Sequence, residues 1–128
     1  MTYYFSKTKN VSFDEAIEKV KDELKKEGFG ILTEIDVKET LKKKLDVDFR
    51  KYRILGACNP PFAYKALQAE VKIGTMLPCN VIVQEISEGV IEIAAIDPVA
   101  SMQAVGNPQL AEIANQIRAK LRKAVERS

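Results

Sequence analysis

Histidine is absent from this chain of 128 residues, and its absence excludes a large group of mechanisms. Without an imidazole there is no Ser-His or Cys-His pair, no histidine-ligated zinc, and no side chain whose ordinary pKa lies near neutrality. Any acid or base would have to be a carboxyl group whose pKa is raised by burial, or a cysteine or lysine whose pKa is lowered by its neighbours.

Long apolar runs and a strong net charge are also missing. No segment approaches the ~18 apolar residues of a membrane helix, and residues 1–7 lack the basic start and apolar stretch of a signal peptide. Twenty lysines and arginines against 18 acidic residues give a net charge of +2, too little to attract nucleic acid or anionic lipid. We expect a cytoplasmic protein that binds neither a membrane nor nucleic acid.

Cysteine is scarce, with two residues in the whole chain. A chain of this length, with 46% hydrophobic residues, can build one core without disulfides. The sequence therefore predicts one domain over residues 1–128. Two cysteines in such a chain are typical of free thiols in a reducing compartment.

What is present are clear start and stop signals for helices. Ser12 and Glu15 form a capping box, and the apolar spacing that follows predicts a helix that Gly28 ends. Asp36 can cap a short basic helix over 37–45, and Asn107-Pro108 precedes a long amphipathic helix. Asn59, followed by two prolines, is interpreted as the N-cap of a helix that runs to about Glu70.

Strand patterns lie between these helices. The clearest is a hairpin of two apolar runs joined by Glu88-Gly89. We interpret 72–78 as a loop, Asp97-Pro98 as a strand-ending turn or a carboxylate at the sheet edge, and the stretch through Gly106 as a linker. The predicted strands are residues 2–8, 29–35, 52–57, 79–87 and 90–97.

This order of elements favours an α+β fold with two layers. A doubly wound parallel sheet is a poorer fit, because the chain has a late hairpin, lacks a glycine-rich first turn and lacks regular strand-helix alternation. We therefore expect a mostly antiparallel sheet with helices on one face and a long C-terminal helix.

A repeated dipeptide marks one edge of that sheet. Cys58-Asn59 ends one strand and Cys79-Asn80 begins another, each beside proline. If the two strands are antiparallel neighbours, both copies lie at the same edge, whereas parallel strands would separate them. The candidate pocket comprises Cys58, Asn59, Cys79, Asn80 and Asp97.

The same segments carry a resemblance to a known family. Gly28-Phe29-Gly30-Ile31-Leu32, Gly56-Ala57-Cys58-Asn59-Pro60, Leu77-Pro78-Cys79-Asn80-Val81 and Ile96-Asp97-Pro98 together resemble domain-of-unknown-function family 302, DUF302, also called the TT1751-like family. The resemblance covers almost the whole chain. It implies a TBP-like fold, in which a long C-terminal helix packs against an antiparallel sheet, and it implies a homodimer. It implies no established activity.

Three functions remain open for the Cys-Asn edge. A small ligand could bind there, the thiols could support redox or enzymatic chemistry, or both cysteines could be buried packing residues with structural asparagines. A helix N-terminus lowers a thiol pKa by less than one unit, so activation of Cys58 would need a cation such as Arg53 or Lys65. We predict no cofactor, and no metal site, because two thiols without histidine do not complete a zinc shell unless Asp97 or a second subunit contributes.

Two further segments bear on partners. Lys42, Lys43 and Lys44 look like a basic patch, but nearby acidic residues favour a solvated helix face. Met76, Met102 and residues 73–78 carry apolar side chains in segments without predicted regular structure, so they are candidates for contacts between subunits.

Overall fold

The computed structural model describes residues 2–128, and they form a five-stranded sheet with five α-helices. Two short 3₁₀ helices, Ile73–Met76 and Gln103–Val105, lie in the connections. In chain order the main elements are β1 (Tyr4–Lys9), α1 (Phe13–Lys26), β2 (Gly30–Asp36), α2 (Val37–Leu45), β3 (Tyr52–Cys58), α3 (Pro60–Ala69), β4 (Cys79–Ser87), β5 (Val90–Ile96), α4 (Pro98–Met102) and α5 (Pro108–Arg127).

All neighbouring strands are antiparallel, in the order β1-β5-β4-β3-β2. The hairpin of β4 and β5 lies at the centre and turns at Gly89, whose φ of +76° favours glycine. The prediction of an α+β fold with a mostly antiparallel sheet and a long C-terminal helix is confirmed. The antiparallel pairing of β3 with β4 also fulfils the condition for bringing the two Cys-Asn segments to one edge.

The core lies between the sheet and helices α1 and α5. Alternate residues of β4 and β5 face these helices, because successive side chains of a strand point to opposite faces. The long apolar stripe of α5 is buried against them, as its helical spacing predicts. The principal members of this core are Val20, Leu24, Leu55, Val81, Val83, Ile91, Ile93, Ile117 and Leu121.

Local signals set the ends of α1 and the start of α2 as predicted. The Ser12 hydroxyl accepts a hydrogen bond from the Glu15 amide at 3.2 Å, and the Asp36 carboxylate accepts one from the Glu39 amide at 3.0 Å. At the end of α1, Gly28 adopts a φ of +89° while the Phe29 amide bonds back to the Leu24 carbonyl. This is a Schellman motif, which glycine permits.

Two connections are more regular than predicted. Residues 73–76 form a 3₁₀ helix instead of a loop, and the expected linker after Asp97 contains α4 and a second 3₁₀ helix. Asp97 starts α4 because its carboxylate accepts the Val99 amide at 3.0 Å, so the residue is an N-cap instead of a simple turn residue.

The segments proposed for subunit contacts divide between core and surface. Ile73 and Met102 are buried in a second apolar cluster with Leu110, so the expectation that they pack on another subunit is wrong. Met76 is 38% exposed. On α2, Lys42 pairs with Asp46 and Lys43 with Glu39, and no residue of that helix is buried. This is the solvated helix face that the sequence predicts.

Candidate functional site

A pocket of about 340 Å³ lies where β3 ends and β4 begins. We call it the Cys-Asn pocket. One side is formed by Ala57, Cys58 and Asn59, and a second by the inner side of α3. Gly74, Leu77, Pro78 and Cys79 form the third side. Phe29, Leu32 and Ile117 complete the lining. No lysine, arginine, aspartate or glutamate is among these lining residues.

The two cysteines contribute to this one pocket from adjacent strands. Cys79 stands opposite Ala57 in the β3–β4 register, and Cys58 is the next residue of β3. Because successive side chains of a strand point to opposite faces of the sheet, the Cys58 side chain leaves β3 on the face opposite to Ala57 and Cys79. All three residues still line the pocket, which therefore extends around the end of β3. Both cysteines are free thiols, Cys79 buried and Cys58 half-buried.

Burial controls the chemistry of Cys79. Its loss of solvent, together with the nearby Cys58 charge, raises the pKa of the Cys79 thiol from 9.0 to about 11. A thiol with that pKa is protonated at neutral pH and is a poor nucleophile, since the thiolate is the reactive form. The pocket wall therefore disfavours negative charge.

A hydrogen bond from the Asn59 side chain connects the pocket lining to the end of α1. The Asn59 Nδ2 donates to the Glu27 carbonyl at 3.2 Å, and no side-chain hydrogen bond caps α3. Asn59 is the N-cap residue of α3, as predicted, but its side-chain oxygen accepts no capping hydrogen bond, and Pro60 and Pro61 supply no N–H groups in the first turn. The Asn59 residue is only 7% exposed, so the hydrogen bond to Glu27 fixes which end of the carboxamide faces that carbonyl.

The other two candidate residues lie elsewhere. Asn80 is exposed and lines a groove of about 390 Å³ on the sheet face opposite the core. Asp97 caps α4 and pairs with Arg118, with 3.0 Å between Oδ2 and Nε. The structure thus brings Cys58, Asn59 and Cys79 together and places Asn80 and Asp97 outside this pocket.

The expected activating cations also lie outside it. Arg53 pairs with Glu34 and Asp36, while Lys65 lies over the Phe62 ring. Neither is among the residues that line the Cys-Asn pocket. Within residues 2–128 no group of three or more cysteine, aspartate or glutamate residues is positioned to hold a metal ion. The arrangement is suited to enclosing an uncharged molecule.

Single-cysteine variants test the inertness of Cys79. In Cys58→Ala, which retains Cys79, we expect native alkylation by iodoacetamide at pH 7.5 to be at least about tenfold slower than for the unfolded chain, because burial, the larger cause of the raised thiol pKa, remains when the Cys58 charge is removed. The reagent also has little access to the buried Cys79 sulfur, which slows alkylation further. Cys79→Ala, which retains Cys58, is the matched control, and mass spectrometry gives both rates. Rapid native labelling of Cys79 would contradict the burial argument.

A family model with the description "Domain of unknown function DUF302" matches residues 5–128. The chain belongs to the DUF302 family. It is similar to a solved structure described as uncharacterized conserved protein DUF302 from Bacillus stearothermophilus, with 30% sequence identity and a TM-score of 0.92. That similarity covers 99% of this chain and 98% of the other. A comparison with curated proteins finds no match.

Several pocket residues of this DUF302 domain carry no local sequence signal for a site. Leu32, Leu67 and Gly74 come from three separate elements and look like ordinary strand, helix and loop residues. The Gly28-Phe29-Gly30-Ile31-Leu32 segment belongs to the family resemblance, and it supplies Phe29 and Leu32 to the pocket. None of the helices within residues 2–128 is long and apolar enough to cross a membrane.

Proposed function

We propose that this DUF302 domain binds a small, largely apolar molecule in the Cys-Asn pocket. The observation that carries the proposal is an apolar cavity that opens to solvent beside large exposed side chains. Leu32 is 67% exposed and Leu67 is 43% exposed, and both line the pocket. Exposed apolar surface of this kind is unfavourable in water and marks binding sites. A bound ligand would remove it from water.

Thiol chemistry is a weaker alternative at the same place. Cys79 is held in its protonated form by burial, and no cation lines the pocket to stabilise a thiolate on Cys58. A purely structural role explains the burial of Cys79, but it gives no reason for the open apolar cavity beside it. The ligand-binding function therefore accounts for more of the geometry.

A neutral fluorescent probe tests this proposal. N-phenyl-1-naphthylamine fluoresces more strongly in apolar surroundings, and its titration gives a dissociation constant. We expect saturable binding to the native domain and at least a tenfold weaker affinity in Gly74→Phe. Gly74 lines the pocket, and a Cβ added there would have Leu67 Cδ2 as its nearest neighbour at 3.9 Å, an ordinary contact. The phenyl ring would then occupy ligand space.

Two matched variants control for changes in folding and surface apolarity. Gly74→Ala adds only the tolerated Cβ, and Thr75→Phe places the same ring one residue along, outside the pocket lining. Both should bind the probe as the native domain does. No saturable binding, or equal loss in Thr75→Phe, would overturn the proposal.

We also propose that the domain is a cytoplasmic homodimer whose subunits pack through the sheet face opposite the core. The register aligns one row of aliphatic side chains across four strands of that face. Its end residue Ile35 is 46% exposed, and Ile82 lines the open groove. Such a row, in a chain of low net charge, suits a second identical face. The row comprises Ile35, Ile54, Ile82 and Ala94.

Sedimentation equilibrium tests the dimer. We expect the native domain to sediment at twice the mass of its 14.3 kDa chain, and Ile82→Arg to sediment as a monomer because a charge would be buried without a partner. Ala119→Arg, which adds the same charge at an exposed position of α5, should remain dimeric. A native monomer, or a dimer that survives Ile82→Arg, would refute this interface.

A further inference from the structure

We infer that the ligand of the Cys-Asn pocket is an electrically neutral molecule that carries one hydrogen-bond donor beside a mostly apolar body, such as a phenol, an apolar alcohol or an aromatic amine. This inference rests on the proposed ligand-binding function and narrows it to a chemical class. Two features of the pocket carry it: the absence of charge from its lining, and the unused end of the Asn59 carboxamide.

The lining excludes charged ligands by desolvation. Its thirteen residues are Phe, Leu, Ala, Ile, Gly, Pro, Cys and Asn, without a charged side chain. A carboxylate or ammonium group moved into such surroundings loses its hydration and gains no opposite charge. The pocket lining also disfavours the charged form of one of the protein's own groups, since burial raises the pKa of the Cys79 thiol and keeps it protonated. A neutral molecule avoids that cost.

The remaining polar group selects for a donor. Asn59 lines the pocket, and its Nδ2 is committed to the Glu27 carbonyl at 3.2 Å. Within residues 2–128 the Asn59 Oδ1 accepts no hydrogen bond from a side chain or amide. The oxygen is not among the buried polar atoms that lack a partner, so it retains contact with solvent and is available to a ligand. A ligand that displaces water from it must replace the lost hydrogen bond with an O–H or N–H donor.

The backbone around Asn59 keeps this acceptor in place. Gly28 has a φ of +89°, and a Cβ at that position would lie 3.1 Å from Asn59 Nδ2. Glycine thus allows the Asn59 carboxamide to lie against the end of α1, where Glu27 offers its carbonyl. The orientation of the acceptor is determined by backbone groups and does not depend on the ligand.

Three related probes separate charge from hydrogen bonding. N-phenyl-1-naphthylamine is neutral and has one N–H; its N-methyl derivative lacks the donor; 8-anilinonaphthalene-1-sulfonate keeps the N–H and adds a negative charge. In titrations with the native domain we expect the N-methyl derivative to bind about tenfold more weakly than the parent amine, and the sulfonate at least 100-fold more weakly. The fluorescence that each probe loses in Gly74→Phe, relative to the native domain, is the part that comes from binding in the pocket.

The outcomes distinguish this inference from the broader proposal. If the three probes bind equally and Gly74→Phe abolishes all of them, the pocket binds ligands but the neutral-donor class is wrong. If the parent amine itself fails to bind, both proposals fail. In Asn59→Ala the difference between the amine and its N-methyl derivative should fall below twofold, provided that circular dichroism shows native folding. Should that variant unfold, the probe series on the native domain still decides the matter.

Discussion

Ile117→Ala should lower the free energy of unfolding by about 2–5 kcal/mol and also weaken probe binding in the Cys-Asn pocket by about 3–10-fold. Ile117 is 4% exposed, belongs to the main core and lines the pocket. Removing its outer carbons leaves a cavity among neighbours that relax only in part, and it removes contacts from the pocket wall. Urea unfolding and the amine titration measure the two effects.

Leu121→Ala provides the matched control for this experiment. Leu121 lies one turn further along α5 and is fully buried, but it is not among the pocket residues. We expect a similar loss of stability with native probe affinity. If Leu121→Ala weakens the probe as much as Ile117→Ala does, general loosening of the fold would explain the binding change, and the pocket assignment of Ile117 would fail.

The helices of this domain are largely predictable because their signals are local. Ser12 and Asp36 each cap a helix through an amide three residues ahead, and Gly28 ends α1 through its own positive φ. Such contacts form within a few residues of chain, so residue type and spacing suffice to predict them. The hairpin at Gly89 follows for the same reason.

The roles of Asn59 and Asp97 are only partly predictable from the sequence, because each also has a partner that is distant along the chain. Asn59 has the residue type and position of an N-cap, yet its amide binds the Glu27 carbonyl, 32 residues earlier. Asp97 caps α4 locally and also pairs with Arg118, 21 residues later. Local propensity gives no information about a partner that only the fold brings near.

Strand topology makes part of the candidate site predictable. The repeated Cys-Asn dipeptide identifies the edge only once β3 and β4 are known to be antiparallel neighbours. Alternation along β4 then separates Cys79, which is buried, from Asn80, which lines the opposite face. The remaining walls, from Leu32 and from α3, require the strand order β1-β5-β4-β3-β2 and the packing of α3, which residue patterns alone do not specify.

The ion pair between Asp97 and Arg118 gives the second large expected effect. Arg118→Met should reduce the free energy of unfolding by about 2 kcal/mol, because the Asp97 side chain is 10% exposed and would lose its charged partner. The value lies below the ~3–5 kcal/mol of a fully buried pair, since the Arg118 side chain is 36% exposed and solvent screens the interaction. Urea denaturation at neutral pH measures it.

Replacing the other member of the ion pair should lower the free energy of unfolding by less, and the difference between the two variants tests whether Asp97 depends on Arg118. In Asp97→Asn the side-chain oxygen can still accept the Val99 amide, and Arg118 can extend into water, so we expect a loss of less than about 1 kcal/mol. The double variant Asp97→Asn, Arg118→Met should be more stable than Arg118→Met alone, because it leaves no unpaired carboxylate. A double-mutant cycle then isolates the coupling between the two side chains. Equal losses in the two single variants, with simple additivity in the double, would show that Asp97 does not depend on Arg118 and that the cap alone keeps its carboxylate in place.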